Sequence, residues 1–144
     1  MLFRSLMKLN NADLSDADSK IVSTILHCIG DFERISDHAV NLMNTANEVY
    51  RKEEHFSDKA KGELEVYEGA IRDIVSMTFS VFEKQDVAMA TKVEPLEEVI
   101  DTLNDEVKKK HVKRLRKGKC TIELGFVLSD ITTNFERIDR KSVV

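Results

Sequence analysis

The chain has 144 residues, enough for one domain with a core that folds on its own. It contains five Gly, one Pro and no Trp, and so few chain breakers favour long helices over many short strands. The net charge of -4 argues against the chain as a whole binding nucleic acid. Its apolar runs are all shorter than the roughly 18 residues that a membrane-spanning helix needs.

The two cysteines, Cys28 and Cys120, are too few and too far apart for a disulfide framework or a zinc pattern. They indicate reduced thiols in a cytosolic setting. The segment 1–11 is too short and too polar for a signal peptide. We therefore expect a soluble chain on the cytoplasmic side, either free or as the soluble piece of a membrane protein.

The first predicted elements are a partial helix over 2–10, a turn over 10–14 and a long helix over 15–54. Ser15 or Asp16 is expected to cap the long helix, because both side chains accept hydrogen bonds from a first helical turn. Nine apolar residues then follow a 4-3 spacing, which is typical of a helix in an antiparallel bundle. These residues are Ile21, Ile25, Cys28, Phe32, Ile35, Ala39, Leu42, Ala46 and Val49.

A second helix is predicted from Ser57, its N-cap, to Lys84, followed by a break at 85–86. The apolar spacing then predicts a third helix that ends near Lys117. Pro95 falls inside it and is expected to kink it, because the proline ring removes one backbone hydrogen bond.

Gly118 is predicted to terminate the third helix, and a fourth helix is predicted to begin near Thr121. Segments that alternate apolar and polar residues with the period of a strand are missing from the sequence. The sequence therefore predicts an all-α fold, an antiparallel helical bundle of three to four long helices within a single domain, 1–144.

A short motif occurs twice. Asp-Phe-Glu-Arg-Ile at 31–35 recurs as Asn-Phe-Glu-Arg-Ile at 134–138. In both copies Phe belongs to the apolar seam and Glu follows it, so the two Glu residues hold the same angular position on their helices.

Two pairs of carboxylates have the spacing of one helical turn. Glu33 and Asp37 lie four residues apart, and Glu97 and Asp101 repeat that spacing on the third predicted helix. Oxygen ligands on two neighbouring helices would suit a hard cation such as Mg²⁺, Mn²⁺ or ferric iron. The alternative is a solvated acidic face, which needs no ligand.

Eight of the twelve residues from Lys108 to Lys119 are Lys or Arg. Such a run can contact phosphate, anionic lipid or nucleic acid, although the absence of interleaved aromatic residues does not support base stacking. Helix-dipole complementarity and solubility also explain it. His38 follows Asp37 but points elsewhere on the helix, so it is expected on the surface. Motifs for a phosphate loop, a nucleophile elbow or a di-metal enzyme are missing, so we expect no enzyme activity.

The segment 33–41, Glu-Arg-Ile-Ser-Asp-His-Ala-Val-Asn, resembles the E-R-I-x-D-x-A-x-N signature of PhoU domains. The segment 97–101 resembles the family's second acidic motif, and 134–138 is similar to the first half of a further signature. The resemblance implies an antiparallel helical bundle that binds metal ions, iron or else Mn, Mg or Zn. It also implies a regulatory part in phosphate uptake. The metal ligands that it implies are Glu33, Asp37, Glu97, Asp101 and Glu136.

One such domain with an extra signature helix resembles the C-terminal cytoplasmic region of bacterial sodium/phosphate cotransporters. The partner would then be the chain's own membrane domain, or else a separate membrane protein of phosphate transport. The alternatives are a free-standing PhoU-type regulator of phosphate uptake and signalling, or a metal-free helical module for protein interaction.

Two departures from the family pattern concern the ends of the chain. Arg140 stands where an acid is expected four residues after Glu136, and Asp139 is a substitute at a different helical angle. The acidic helix that usually precedes such a domain is missing. We therefore expect a fragment truncated at both ends, whose incomplete site would be filled by a second copy in a homodimer.

Overall fold

The computed structural model describes residues 2–10 and 14–143, and every regular element in these ranges is an α-helix. The helices are α1 Leu2–Asn10, α2 Asp16–Arg51, α3 Asp58–Lys84, α4 Val87–Ala90, α5 Val93–Arg116 and α6 Ile122–Ser142. The predicted all-α fold is confirmed, with four long helices among the described residues. The predicted turn at 10–14 lies mostly outside them. Across both described ranges, each helix is too short or too polar to cross a membrane.

The predicted helix starts are confirmed by their caps. The hydroxyls of Ser15, Ser57 and Thr121 each accept a hydrogen bond from the backbone N–H three residues further along. Each such cap satisfies a donor that the first turn leaves without a helical partner, and it contributes about 1 kcal/mol. The cap residues therefore position the starts of α2, α3 and α6.

The predicted third helix is divided in two, because α4 ends at Ala90 and α5 begins at Val93. Pro95 is thus the third residue of α5. N–H groups in a first turn have no partner within the helix, so a proline there removes no backbone hydrogen bond. The predicted kink at Pro95 is therefore wrong, and the chain breaks before the proline instead.

The long helices run antiparallel in the pairs α2–α6, α3–α5 and α5–α6. Lys141 on α6 forms an ion pair of 2.9 Å with Asp31 near the middle of α2. Arg114 at the end of α5 reaches Glu63 at the start of α3 at 2.8 Å. The core lies between α3, α5 and α6, with a contribution from α2. Its buried residues are Ile35, Tyr67, Ile71, Ile74, Val93, Ile100, Val107, Leu128, Phe135 and Ile138.

The apolar seam of α2 is only partly covered. The backbone of α2 contacts α1 and α6, whereas the hairpin of α3 and α5 packs against α6. Side chains bridge the remaining space, since the ring of Phe32 stacks on Phe79 at 4.8 Å and meets Phe82 edge-on at 5.2 Å. Further along, Ile21 is 54% exposed although it belongs to the predicted seam.

Two glycines offer a matched test of the backbone. Gly118 ends α5 with a φ of +63°, which an L-residue adopts only with strain, whereas Gly30 lies within α2 with open space where a Cβ would stand. We expect Gly118→Ala to lower the free energy of unfolding by about 1 kcal/mol. We expect Gly30→Ala to raise it by roughly 0.5–1 kcal/mol. Urea unfolding measures both, and a stabilising Gly118→Ala would contradict the left-handed terminus.

Candidate metal centre

Three carboxylates converge where α5 passes α6. Glu97 and Asp101 lie one turn apart on α5, and Asp139 lies opposite them on α6. One oxygen from each side chain lies within 4.8 Å of the others. Oxygens that bind one ion from opposite sides at about 2.4 Å are roughly 5 Å apart, so a single cation fits between these carboxylates.

Asp139 is the unusual member of this carboxylate cluster. It is 0% exposed, and neither carboxylate oxygen has a hydrogen-bond partner within residues 2–10 and 14–143. The pKa of Asp139 is raised to about 7, chiefly by burial; the nearby charges of Glu97 and Asp101 also raise it, and the charge of Arg140 lowers it. A buried carboxylate without a donor is costly, and a bound ion or water is one way in which native proteins satisfy such a group.

Other buried polar atoms near the cluster also have no hydrogen-bond partner in the described part of the chain. These are the hydroxyl of Tyr67 on α3 and the side-chain carbonyl oxygen of Asn104 on α5. Burial is the main cause that raises the pKa of Tyr67, and the charge of Asp139 comes next. The junction of α3, α5 and α6 therefore combines excess negative charge with several polar atoms that lack partners.

The cluster opens to solvent on one side. Asp139 is buried, Glu97 is half-buried and Asp101 is exposed, so the three carboxylates lead from the interior to the surface. Asp101 also lines a polar depression of about 370 Å³, whose other lining residues include Lys108 and Arg140. An ion can therefore reach the cluster from solvent without a change in the fold.

Comparison with known proteins agrees with this architecture. The sequence profile of the PhoU domain matches residues 68–143, which is more than half of the chain. The chain belongs to the PhoU domain family. The matched segment includes all three clustered carboxylates of this PhoU domain, Glu97, Asp101 and Asp139, whereas Glu33 and Asp37 lie before it.

A curated relative is the phosphate-specific transport system accessory protein PhoU homolog 1 of Thermotoga maritima. It is 28% identical over 119 residues, which cover 83% of this chain and 50% of the relative. This PhoU chain therefore spans about half the length of the relative that it matches. Searching the solved structures gives no match.

Glu136, a predicted ligand, is engaged elsewhere in this PhoU domain. Its carboxylate forms ion pairs with Arg140 at 2.7 Å and Lys108 at 3.5 Å, and it accepts a hydrogen bond from Asn104 at 3.3 Å. Arg140 is the residue found where the family pattern expects an acid. Because it binds Glu136, the carboxylate that joins the pair on α5 is Asp139 instead.

Glu33 and Asp37, the other predicted pair, are exposed on α2. Because the backbone of α2 does not contact α5, the structure does not bring this pair to Glu97 and Asp101. Within the described ranges neither carboxylate has a hydrogen-bond or ion-pair partner. The two predicted pairs therefore belong to separate surfaces of the PhoU domain.

The rest of the first PhoU signature binds α6. The Nδ1 atom of His38 lies 2.9 Å from the side-chain oxygen of Asn134, to which the amide of Asn41 also donates at 3.3 Å. His38 is therefore half-buried rather than a free surface histidine. The signature contributes to helix packing as well as presenting its acids to solvent.

The pKa of Asp139 predicts how stability depends on pH when a chelator is present. The folded state holds a proton on Asp139 up to about pH 7, whereas the unfolded chain releases it near pH 4, so stability falls as pH rises between these values. Asp139→Asn removes this loss. The free energy of unfolding of the variant, taken relative to that of the wild type, should therefore increase by about 2–3 kcal/mol when the pH is raised from about 5 to about 8.

Urea unfolding at the two pH values measures this gain. Asp105→Asn is the control, because it makes the same substitution at an exposed position on the neighbouring helix α5. An Asp139→Asn variant that is equally destabilised at both pH values would contradict a buried, neutral carboxyl group.

Proposed function

We propose that this chain is a metal-binding regulatory domain linked to phosphate transport. The observation that carries the proposal is the buried Asp139 carboxylate, which has no hydrogen-bond donor among the described residues and has an oxygen within 4.8 Å of oxygens of Glu97 and Asp101. A bound cation would offset the negative charge of the three carboxylates and supply the partner that the described residues do not. When bound, the metal would have positions left for further ligands.

The donor set favours a hard cation. All three proposed ligands offer carboxylate oxygens, which suit iron, manganese or magnesium better than zinc, whose sites are rich in Cys and His. Three protein oxygens leave open positions on an octahedral ion.

The family supports a regulatory part rather than catalysis. The curated relative is named an accessory protein of a phosphate-specific transport system. We infer that this chain likewise acts with a membrane protein of phosphate transport, on the cytoplasmic side. It would do so as the soluble domain of a sodium/phosphate cotransporter or as a free-standing regulator. Membrane-spanning segments upstream in the same reading frame would favour the cotransporter.

Elemental analysis tests the metal proposal on protein purified without chelator. We expect iron or manganese in the wild type. We expect Glu97→Gln with Asp101→Asn to remove it, because both changes keep the shape but not the charge of a ligand. Asp139→Asn should weaken the affinity for Mn²⁺ at least about tenfold in calorimetric titration.

The matched control is Glu33→Gln with Asp37→Asn, which makes the same change of charge on α2. This variant should keep the metal bound at the cluster. A wild type without metal would refute the proposal and leave a metal-free interaction module as the better function. Loss of the metal in the α2 variant alone would instead assign the site to the first signature.

A homodimer would complete the surface of α2. Glu33 and Asp37 lie on a helix whose apolar side is only partly covered, with Ile21 54% and Met43 56% exposed. These two apolar side chains share a face, since 22 positions are close to six helical turns. A second copy of the chain on this face would bury both apolar side chains.

Analytical ultracentrifugation tests the homodimer. We expect the wild type to sediment as a dimer at micromolar concentration, and Ile21→Ser with Met43→Ser to shift it to the monomer, because the apolar contact is lost. Val87→Ser with Val99→Ser is the control, as both valines are exposed away from this face. A wild-type monomer at all concentrations would contradict the proposed assembly.

A further inference from the structure

A strongly basic surface lies where α5 ends and α6 begins. This α5–α6 corner, residues 109–126, contains one acid, Glu123. Within the described structure, the basic run has two members in ion pairs, Lys108 with Glu136 and Arg114 with Glu63. The other six are exposed and form no ion pair with a described residue. They are Lys109, Lys110, Lys113, Arg116, Lys117 and Lys119.

The same corner exposes large apolar side chains. Ile122 and Phe126 are each 69% exposed and lie one turn apart on α6, while Val112 on α5 is 44% exposed. Helices α5 and α6 are in close contact here, as shown by Gly125, where an added Cβ would lie 3.1 Å from Nε2 of His111. Val112 comes directly after His111 in the chain, and Phe126 comes directly after Gly125. The apolar side chains therefore lie beside the cations rather than on a remote face.

We propose that the α5–α6 corner docks on an anionic membrane surface. Lys and Arg side chains near such a surface are attracted by the negative potential of its headgroups. Ile122 and Phe126 would enter the boundary between headgroups and acyl chains, as apolar residues of interfacial helices do. The corner thus offers both components of reversible binding to a bilayer, charge attraction and apolar insertion.

The type of cation favours a bilayer over a protein partner. Five of the six unpaired cations are lysines, and lysine is depleted in protein interfaces, where arginine and aromatic anchors dominate. Attraction to a charged membrane depends on the number of cations near it and needs no fixed geometry. Flexible lysines around two protruding apolar side chains fit that requirement.

The charge of the rest of the chain would orient the docked protein. The segment 108–119 carries +8 and the whole chain -4, so the remaining residues carry -12. An anionic bilayer would repel this remainder and attract the corner. Asp101 lies twelve residues before Lys113 on α5, about 18 Å along the helix, so the carboxylate cluster would stay off the membrane.

Vesicle flotation of the full chain tests the proposal in the presence of EDTA, which separates it from metal binding. We expect binding to phosphatidylcholine vesicles that contain about 30% phosphatidylglycerol, and little binding to pure phosphatidylcholine. Removing three charges with Lys113→Gln, Arg116→Gln and Lys117→Gln should lower the partition constant at least about tenfold.

The matched control is Lys20→Gln, Lys84→Gln and Lys92→Gln, which makes the same change of charge on exposed cations outside the corner. It should bind within about twofold of the wild type. Equal weakening of both triple variants would overturn the proposal, because net charge rather than the corner would then explain binding. Circular dichroism checks that all variants are folded.

Tryptophan fluorescence measures insertion separately from binding. The chain contains no Trp, so a single introduced Trp reports on its own position. The emission of Phe126→Trp should shift to the blue with anionic vesicles, whereas Val99→Trp, on an exposed position nearer the start of α5, should not shift. Wild type that does not float with anionic vesicles would overturn the proposal. Capture of poly-glutamate by the corner in place of vesicles would also overturn it and assign the surface to an acidic protein.

Discussion

The bundle depends on α6 being packed on three sides. The backbone of this helix contacts α2, α3 and α5, whereas the backbone of α2 does not contact the hairpin of α3 and α5. Apart from side-chain contacts such as that of Phe32 with Phe79 and Phe82, α6 therefore joins the two parts. A helix enclosed in this way buries residues around most of its circumference, so polar positions become buried as well. The buried polar residues of α6 are Thr132, Asp139 and Ser142. The hydroxyls bond to backbone oxygens of their own helix, but a carboxylate accepts only and has no such partner.

The contact between α2 and α6 has a local two-fold symmetry that explains the repeated motif. Asp31 begins one copy and binds Lys141, which lies seven residues after the start of the other. Asn134 begins the second copy and binds His38, seven residues after the start of the first. An antiparallel pair of equivalent segments makes each contact twice in this way. The symmetry does not extend to the carboxylate cluster. The residue of α2 that corresponds to Asp139 is Ser36, so the repeat alone does not create a carboxylate cluster on both helices.

The periodicity of the sequence was sufficient for the helices but not for their partners. Local signals such as the hydroxyl of Ser57 and the seam of α2 depend on residues a few positions apart, so they can be read from the chain. Which helix faces which is a long-range property. For that reason the family resemblance implies Glu136 as a ligand and leaves Asp139 as a substitute, at a different angle, for the acid expected at 140. The sequence gives the angular positions of Glu136 and Asp139 on α6. It does not give the positions of the Arg140 side chain and of α5 around them, which depend on how the helices pack.

Helix α5 connects the carboxylate cluster with the α5–α6 corner. Its six acids all precede its six Lys and Arg residues, so it is neutral as a whole but strongly polarised along its axis. This order complements the helix dipole at both ends, and it also places few opposite charges one turn apart. The like charges that remain adjacent, such as Glu97 and Asp101, repel each other along the helix. A cation between them would remove that repulsion at the acidic end, and an anionic surface would do so at the basic end. The charge order of α5 therefore stabilises the helix most when both of its ends are bound to ligands of opposite charge.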